Sequence, residues 1–227
     1  MIKKIDIAGI QLDNYTTREM LIRIDRCIAE KSFTTIEEVN MKTLELVASD
    51  EEVKQALELF DYTVIADEGI LKAASADTLQ RRHEIEEHDF FYELFKRLDR
   101  NHKTVFVLGD SQAAVDEAEE FLKELFDRLD IVGKGVFDEA NGTDEGVVNE
   151  INIATPEVVL SFLPSPVQEK FFFRNKDKIS TILWYGIGSG KFLVKRTGII
   201  GKIRKMLDVK RLTHLIKTYE HRQNSSI

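Results

Sequence analysis

Short apolar runs alternate with amphipathic helical patterns along this 227-residue chain, and this alternation most limits the folds it can adopt. The runs are rich in β-branched and aromatic residues and are bounded by turn-forming residues, as buried strands are. Such an alternation favours an α/β domain with a mostly parallel sheet, right-handed crossovers and helices on both faces. The predicted strands are 3–11, 33–39, 62–66, 104–110, 131–136, 156–163 and 180–186.

Two of these strands are followed by polar side chains. Asn40 follows the strand at 33–39, and Asp67 follows the run at 62–66, with Gly69 two residues later. Ligand crevices of open α/β sheets lie at the carboxyl ends of the strands, where a carboxylate can act as a general base. Asp67 has a second interpretation, because an acid at this position also caps the following helix. The residues alone leave both roles open.

Two glycine turns lie where phosphate-binding turns occur in such folds. One contains Gly109, and the other contains Gly186, Gly188 and Gly190. Neither has the complete Gly-x-Gly-x-x-Gly spacing of a dinucleotide site, and the Gly-Ser-Gly-Lys segment lacks the leading glycine of a P-loop. Taken alone, these glycines are a weak signal for a nucleotide.

The polar segment 77–88 has little helix or strand periodicity, which predicts a loop over the mouth of the crevice or a mobile segment. Its two histidines, His83 and His88, are five residues apart without a cysteine cluster, so we predict no metal site and no cofactor. Cys27 is the only cysteine in the sequence, which favours a reducing cytoplasm. The sequence contains no run of about 18 apolar residues, and its first residues lack a signal-peptide pattern.

Charge is distributed unevenly along the chain. The formal charge of −8 combines +11 over residues 170–222 with −19 over the 169 residues before them. After residue 197, basic residues flank apolar stripes, a pattern of amphipathic helices. We therefore divide the chain into an α/β domain, 1–197, and a basic helical C-terminal segment, 198–227. This segment either lies on an anionic membrane surface, folds over the crevice, or packs on the domain as a helix pair; nucleic acid is disfavoured because interleaved aromatic residues are lacking.

Taken in order, these features resemble the WecG/TagA/CpsF glycosyltransferases (glycosyltransferase family 26) over essentially the whole chain. The matching segments are the strand ending at Asn40, Ala-Asp-Glu-Gly at 66–69, His-Asp-Phe at 88–90, Val-Leu-Gly-Asp at 107–110, Pro-Val-Gln-Glu-Lys at 166–170, Gly-Ile-Gly at 186–188 and Val-Lys-Arg at 194–196. The resemblance implies a Rossmann-like domain with a basic C-terminal appendage and no required metal. It also implies inverting transfer of an N-acetylhexosamine-type sugar from a UDP-sugar to a lipid-diphosphate-linked sugar. Such transfer would serve cell-surface polysaccharide synthesis, such as teichoic acid or capsule, on the cytoplasmic face of the membrane.

The resemblance also implies roles for individual residues. Asp67 matches the family's candidate general base, and Asn40 matches the active-site asparagine beside it. Together with the turn at Gly109, the positions expected to bind substrate are Glu38, Gln168, Glu169, Gly186, Gly188, Lys191, Lys195 and Arg196. The last three would neutralise the departing diphosphate.

The chain departs from the family pattern at several positions. Glu38 stands where the family has a threonine, and the segment between Gly188 and Lys195 is several residues shorter than the family's. An acid near a diphosphate predicts weaker donor binding, because like charges repel. Two functions are therefore compatible with the sequence: an active inverting glycosyltransferase, and a catalytically silent homologue that binds a nucleotide sugar or a partner enzyme as a scaffold. The sequence leaves the oligomeric state open, a homo-oligomer included.

Overall fold

The computed structural model describes residues 3–7, 9–139 and 143–188. The strands in this part of the chain are β1 (Lys4–Ile7), β2 (Ile10–Asp13), β3 (Thr34–Val39), β4 (Tyr62–Ile65), β5 (Thr104–Gly109), β6 (Asp130–Val136), β7 (Val158–Ser161) and β8 (Leu183–Gly186). The α-helices are α1 (Thr17–Glu30), α2 (Met41–Val47), α3 (Glu51–Glu58), α4 (Glu68–Ala73), α5 (Leu79–Glu86), α6 (Asp89–Arg100), α7 (Gln112–Leu125), α8 (Asp144–Ala154) and α9 (Val167–Asn175), and a short 3-10 helix spans Lys176–Lys178. The predicted boundary at residue 197 lies outside the described residues.

Strands β3 to β8 form one six-stranded parallel sheet in the order β4-β3-β8-β7-β5-β6. Helices α2, α3, α8 and α9 pack on one face of the sheet, and α1, α6 and α7 pack on the other. Because both faces are covered, the central strands are apolar and buried along their length, as β5 and β7 are. The predicted Rossmann-like α/β fold is confirmed.

Side chains cap the starts of α1 to α5, α7 and α8, whereas α6 and α9 start without a side-chain cap. Asp50 caps α3 by accepting hydrogen bonds from two backbone N–H groups of its first turn, and Ser111 caps α7 by accepting one from the Ala114 N–H. Aromatic side chains contribute to the packing on one face: the ring of Phe172 stacks on Phe60 with centroids 4.2 Å apart, and its centroid lies 5.3 Å from that of Trp184 on β8. These aromatic contacts help to hold α9 on its face of the sheet.

The first predicted strand is wrong in detail, because residues 3–11 do not form one strand. They contribute to an antiparallel hairpin of β1 and β2, separate from the parallel sheet. Gly9 lies in the connecting turn with φ of 84°, a conformation that glycine adopts without strain. Its N–H donates to Asp6 Oδ1 at 3.1 Å, so the turn is also stabilised by a local side chain.

The loop predicted at 77–88 is also wrong, because this segment contains the helix α5. Thr78 caps it, accepting a hydrogen bond from the Arg81 N–H at 3.2 Å. The helix buries two charged side chains, Arg81 and Glu84, together with Ile85. A search for apolar periodicity does not find a helix whose buried face is largely charged.

Candidate active site

The carboxyl ends of β3, β4 and β8 lie side by side at one edge of the sheet. β3 pairs with β4, so Asn40 and Asp67 follow neighbouring strand ends. On its other side β3 pairs with β8, which brings the turn from Gly186 to Gly188 next to the end of β3. The parallel register therefore groups these predicted site residues where ligands bind in open α/β sheets.

Asp67 and Asn40 each begin a helix. Asp67 Oδ1 accepts a hydrogen bond from the Gly69 N–H at 2.8 Å at the start of α4. Asn40 Oδ1 accepts hydrogen bonds from the N–H groups of Lys42 and Thr43 at 2.9 and 3.1 Å at the start of α2. The capping interpretation of Asp67 is thus confirmed. Both residues are half-buried, and their catalytic roles stay predictions.

Glu38 is a buried acid at the carboxyl end of β3. The residue is 8% exposed, and its Oε1 accepts a hydrogen bond from the hydroxyl of Tyr185 on β8. Burial raises the pKa of Glu38 to about 7, and the hydrogen bond from Tyr185 opposes this increase. Near neutral pH the carboxyl group of Glu38 is therefore present in both protonation states.

Glu38 also lines a small cavity of about 20 Å³, which is room for about one water molecule. The cavity lies between the ends of β3 and β4, helix α5 and the start of α6. The other polar residues of its lining are Thr17, Arg81, Glu84 and His88, and the apolar residues are Val64, Ile65, Ala66, Ile85, Phe90 and Phe91. Ala66 directly precedes Asp67, which is not itself part of the lining.

The two charged residues that α5 contributes to this cavity neutralise each other. Arg81 Nη1 donates to Glu84 Oε2 at 2.6 Å, and Arg81 Nε donates to Asn14 Oδ1 at 3.2 Å. The N–H of Thr17 also donates to Glu84 Oε2 at 3.2 Å. Both charged side chains are buried, so removing either one would leave an unpaired buried charge at a cost of about 3–5 kcal/mol. The pair therefore holds α5 against the start of α1 and keeps this wall in place.

On the opposite face of the sheet, Glu37 holds Gln168 against the glycine turn after β8. Gln168 Nε2 donates to Glu37 Oε1, and Gln168 Oε1 accepts a hydrogen bond from the Gly188 N–H at 3.4 Å. A Cβ atom on Gly186 would lie 2.6 Å from Gln168 Nε2 and still closer to Glu37 Oε2, so this approach requires glycine. Burial and the nearby Glu169 raise the pKa of Glu37 well above its usual range, which favours an uncharged carboxyl group.

Glu169 organises the loop between β7 and α9. The residue is fully buried, and the Ser165 hydroxyl donates to its Oε1 at 2.6 Å. Burial raises the pKa of Glu169. Lys42 Nζ donates to the Ser165 carbonyl at 2.9 Å, which connects this loop to α2 at the same edge of the sheet. Neither Gln168 nor Glu169 lines the cavity beside Glu38.

The structure does not bring Gly109 to this group of residues. Gly109 ends β5, three positions from β3 in the sheet, which is roughly 14 Å at the usual spacing between strands. A Cβ atom on Gly109 would lie 2.8 Å from Val115 Cγ2, so the glycine allows β5 to pack closely against α7. The three predicted cations, Lys191, Lys195 and Arg196, lie outside the described residues.

Three residues of this region were missed from the sequence: Tyr185, Arg81 and Glu84. Tyr185 lies in an apolar strand and is indistinguishable there from a core aromatic residue, and the other two lie in the segment predicted to be a loop. One signal was available, the consecutive acids Glu37 and Glu38 in a strand otherwise suited to burial. Because neighbouring side chains of a strand point to opposite faces, such a pair places one buried acid on each side of the sheet.

Over the described ranges 3–7, 9–139 and 143–188, no group of three or more His, Cys, Asp or Glu side chains is arranged to hold a metal ion. No helix of those ranges has the length and apolar character needed to cross a membrane.

Sequence comparisons complement this geometry. The model of a family described as "Glycosyl transferase WecG/TagA/CpsF family" matches residues 5–193. Relatives from Staphylococcus aureus strains NCTC 8325, COL and MRSA252 are each 21% identical over 225 residues, which cover 93% of this chain and 88% of the relative. Each relative is named N-acetylglucosaminyldiphosphoundecaprenol N-acetyl-beta-D-mannosaminyltransferase.

Proposed function

The chain belongs to the WecG/TagA/CpsF family of glycosyltransferases, and from this premise we propose that it transfers an N-acetylhexosamine-type sugar from a UDP-sugar to a lipid-diphosphate-linked sugar. The family match confirms the resemblance seen in the sequence. In the proposed product, the new glycosidic bond has the anomeric configuration opposite to that of the sugar in the donor. This product is a precursor of a cell-surface polysaccharide, such as teichoic acid, capsule or exopolysaccharide.

The relatives support the acceptor class. Their name describes transfer of N-acetylmannosamine to N-acetylglucosamine on an undecaprenol diphosphate. At 21% identity we carry over the chemical class of the two substrates, an amino sugar and a sugar on a lipid diphosphate, rather than the individual sugars.

The single observation that carries the proposal is the grouping at the end of β3. Asn40, Asp67 and the Gly186–Gly188 turn lie at neighbouring strand ends, and Glu38, two residues before Asn40, lines a small cavity at the end of β3. A transferase needs a proton acceptor next to a site for the departing diphosphate, and this edge offers both kinds of group.

In the proposed reaction, an acceptor hydroxyl oxygen attacks the anomeric carbon from the side opposite the diphosphate. The bond between the anomeric carbon and the diphosphate oxygen breaks, and its electron pair leaves with UDP. The hydroxyl proton passes to the Asp67 carboxylate, the proposed general base. The cap that Asp67 Oδ1 forms with the Gly69 N–H would hold the carboxylate in one orientation during this transfer.

The donor nucleotide is proposed to bind at the glycine turn. Glu37 orients the Gln168 amide toward the Gly188 N–H, which keeps the backbone of the turn in a defined position. Close backbone approach at such a turn suits a diphosphate. Lys191, Lys195 and Arg196 follow this turn in sequence and are proposed to neutralise the charge that develops on the leaving group.

The burial of Glu38 changes the expectation that an acid here weakens donor binding. A carboxyl group with a pKa of about 7 carries only part of a negative charge at neutral pH. The repulsion of a diphosphate is reduced accordingly, so the substitution of the family's threonine is compatible with an active enzyme.

We further propose that the protein works at the cytoplasmic face of the membrane as a peripheral protein. The support is the net charge of +11 over residues 170–222 together with the apolar stripes of residues 198–227. Basic amphipathic segments bind anionic lipid surfaces, and a lipid-linked acceptor is located at such a surface.

The test is transfer by the full chain. Purified protein is incubated with UDP-N-acetylmannosamine or UDP-N-acetylglucosamine and a short-chain lipid-diphosphate N-acetylglucosamine, and the products are identified by mass spectrometry. We expect a disaccharide lipid and UDP. Asp67→Asn should lower turnover at least 100-fold by removing the base, in the range of general-base effects of about 10²–10⁴, while donor affinity measured by calorimetry changes little.

Asp50→Asn is the matched control, because Asp50 also caps a helix and asparagine caps equally well. This variant should keep its turnover. Unchanged turnover of Asp67→Asn would exclude Asp67 as the base, and donor binding without product from the unmodified chain would favour the silent homologue.

A further inference from the structure

Lys42 is a cation at the carboxyl edge of the sheet, and among the described residues it has no acidic partner. Its Nζ donates instead to a neutral group, the Ser165 carbonyl oxygen, at 2.9 Å. The cations of α4, α5 and α9 each pair with a carboxylate at 2.6–3.6 Å: Lys72 with Glu68, Arg81 with Glu84, Arg82 with Asp77, Lys170 with Asp50 and Arg174 with Asp144. Lys42 is also exposed, so its charge is accessible to an anion from solution.

The contact with Ser165 places the ammonium group of Lys42 beside the glycine turn. Lys42 follows β3, Ser165 follows β7, and β8 lies between these two strands in the sheet. The side chain of Lys42 therefore crosses the end of β8, where the turn from Gly186 to Gly188 begins. Helices α2 and α9 pack on the same face of the sheet, so this crossing lies on the face from which Gln168 contacts the Gly188 N–H.

We infer that Lys42 binds the diphosphate of the donor at this turn. The inference rests on the proposed function, in which the donor nucleotide binds at the same turn, and it adds a cationic side chain from α2 to that site. A lysine ammonium group has three donors, so it can bind a phosphate oxygen while it keeps its hydrogen bond to Ser165. This hydrogen bond holds the long side chain in place before the donor arrives, which reduces the entropy lost on binding.

Two buried acids on this face lie near the proposed site, and neither forms an ion pair with Lys42. The Ser165 hydroxyl donates to Glu169 Oε1 at 2.6 Å, and Gln168 donates to Glu37. Burial raises the pKa of both acids, although the charge of Lys42 opposes the increase at Glu169. Because burial favours their uncharged forms, these acids repel an incoming diphosphate less than exposed carboxylates would.

Removing the ammonium group should weaken the binding of the diphosphate and leave the binding of the nucleoside unchanged. Lys42→Met keeps the length of the side chain but removes its charge and its donors. We expect this variant to bind UDP about 10- to 100-fold more weakly, the range for a hydrogen bond to a charged group. Its affinity for uridine, which carries no phosphate, should not change. Lys42→Arg keeps a cation that binds phosphate, so its affinity for UDP should stay within about threefold of that of the unmodified chain.

The experiment is calorimetric titration of the full chain and its variants with UDP, and with uridine in competition with UDP. Lys176→Met is the matched control, because Lys176 Nζ also donates to a backbone carbonyl, that of Leu59 at 3.2 Å. Lys176 follows α9 and lies toward the amino ends of the strands, away from the glycine turn. This variant should bind both ligands as the unmodified chain does. Urea unfolding followed by the fluorescence of Trp184 checks that each variant is folded.

The outcomes separate the role of Lys42 from the proposed reaction. Unchanged affinity of Lys42→Met for UDP, or equal losses for UDP and uridine, overturns the role of Lys42, and product formation by the unmodified chain then leaves the transferase proposal intact. Binding of UDP by Lys42→Arg that is as weak as that by Lys42→Met also overturns this role. The expected affinities without any product in the transfer assay support the role of Lys42 and contradict the proposed reaction. Failure of the unmodified chain to bind UDP overturns both.

Discussion

Replacing Glu38 with glutamine should change how the stability of the protein depends on pH. In the unfolded chain the carboxyl group has an ordinary pKa of 4.5, and in the folded protein burial raises this pKa to about 7. As pH rises above 4.5, the unfolded state loses the proton first, so ionisation favours unfolding until the folded group also ionises near pH 7. At about 1.4 kcal/mol per pKa unit, the ionisation of Glu38 should lower the free energy of unfolding by about 3 kcal/mol in total.

Most of this free energy falls between pH 5 and pH 8, where the unmodified protein should lose about 2–3 kcal/mol relative to Glu38→Gln. The measurement is urea unfolding at pH 5, 6, 7 and 8, followed by the fluorescence of Trp184, which is buried and is the only tryptophan in the sequence. Burial, the largest cause of the raised pKa of Glu37, is the same in both proteins, and the charge of Glu38 is the smallest cause, so most of the Glu37 contribution cancels in the difference. A difference in unfolding free energy that stays constant over this pH range would refute the assignment of a near-neutral pKa to Glu38.

Two further predictions concern the glycine turn and the C-terminal segment. Gly186→Ala should lower the free energy of unfolding in urea by about 1–3 kcal/mol, because the added Cβ would overlap Glu37 and Gln168. The control is Gly146→Ala, where a Cβ meets only Thr143 Oγ1 at 3.3 Å. Equal stabilities of the two variants would show that the turn can relax. Removing residues 198–227 should abolish sedimentation of the protein with phosphatidylglycerol vesicles, because this segment carries the basic residues and apolar stripes proposed to bind anionic lipid. Equal pelleting of the full and truncated chains would exclude this segment as the membrane anchor.

The sequence predicted the parallel α/β fold because its signals are local. Apolar runs of strand length, caps such as Asp50 and Ser111, and turn residues between them require only neighbouring residues to be recognised. Helix α5, which lies in the segment predicted to be a loop, buries Arg81 and Glu84. Their burial is tolerated because each neutralises the other and because Asn14 and Thr17 complete the hydrogen bonds. Each of these two residues lies 67 positions from its partner in the chain.

The candidate site was predicted only in part, because some of its contacts are local in the sequence and others are not. Asn40 and Asp67 could be placed at strand ends because the polarity change after a buried strand is visible in the sequence. Their hydrogen bonds to the following helices are also local, so the capping role of Asp67 could be anticipated. Nothing local marks Tyr185 as the partner of Glu38, since the two residues are 147 positions apart.

By itself, the sequence determined the alternation of strands and helices, the ends of the strands where polar residues collect, and the concentration of positive charge after residue 170. Only the tertiary structure decided that β8, the last strand of the described residues, lies beside β3, the first strand of the parallel sheet. That pairing places Tyr185 against Glu38 and the glycine turn against Gln168. It also removes Glu38 from water, and because desolvation depends on everything packed around the carboxyl group, its near-neutral pKa arises from the assembled fold and not from any segment of the chain.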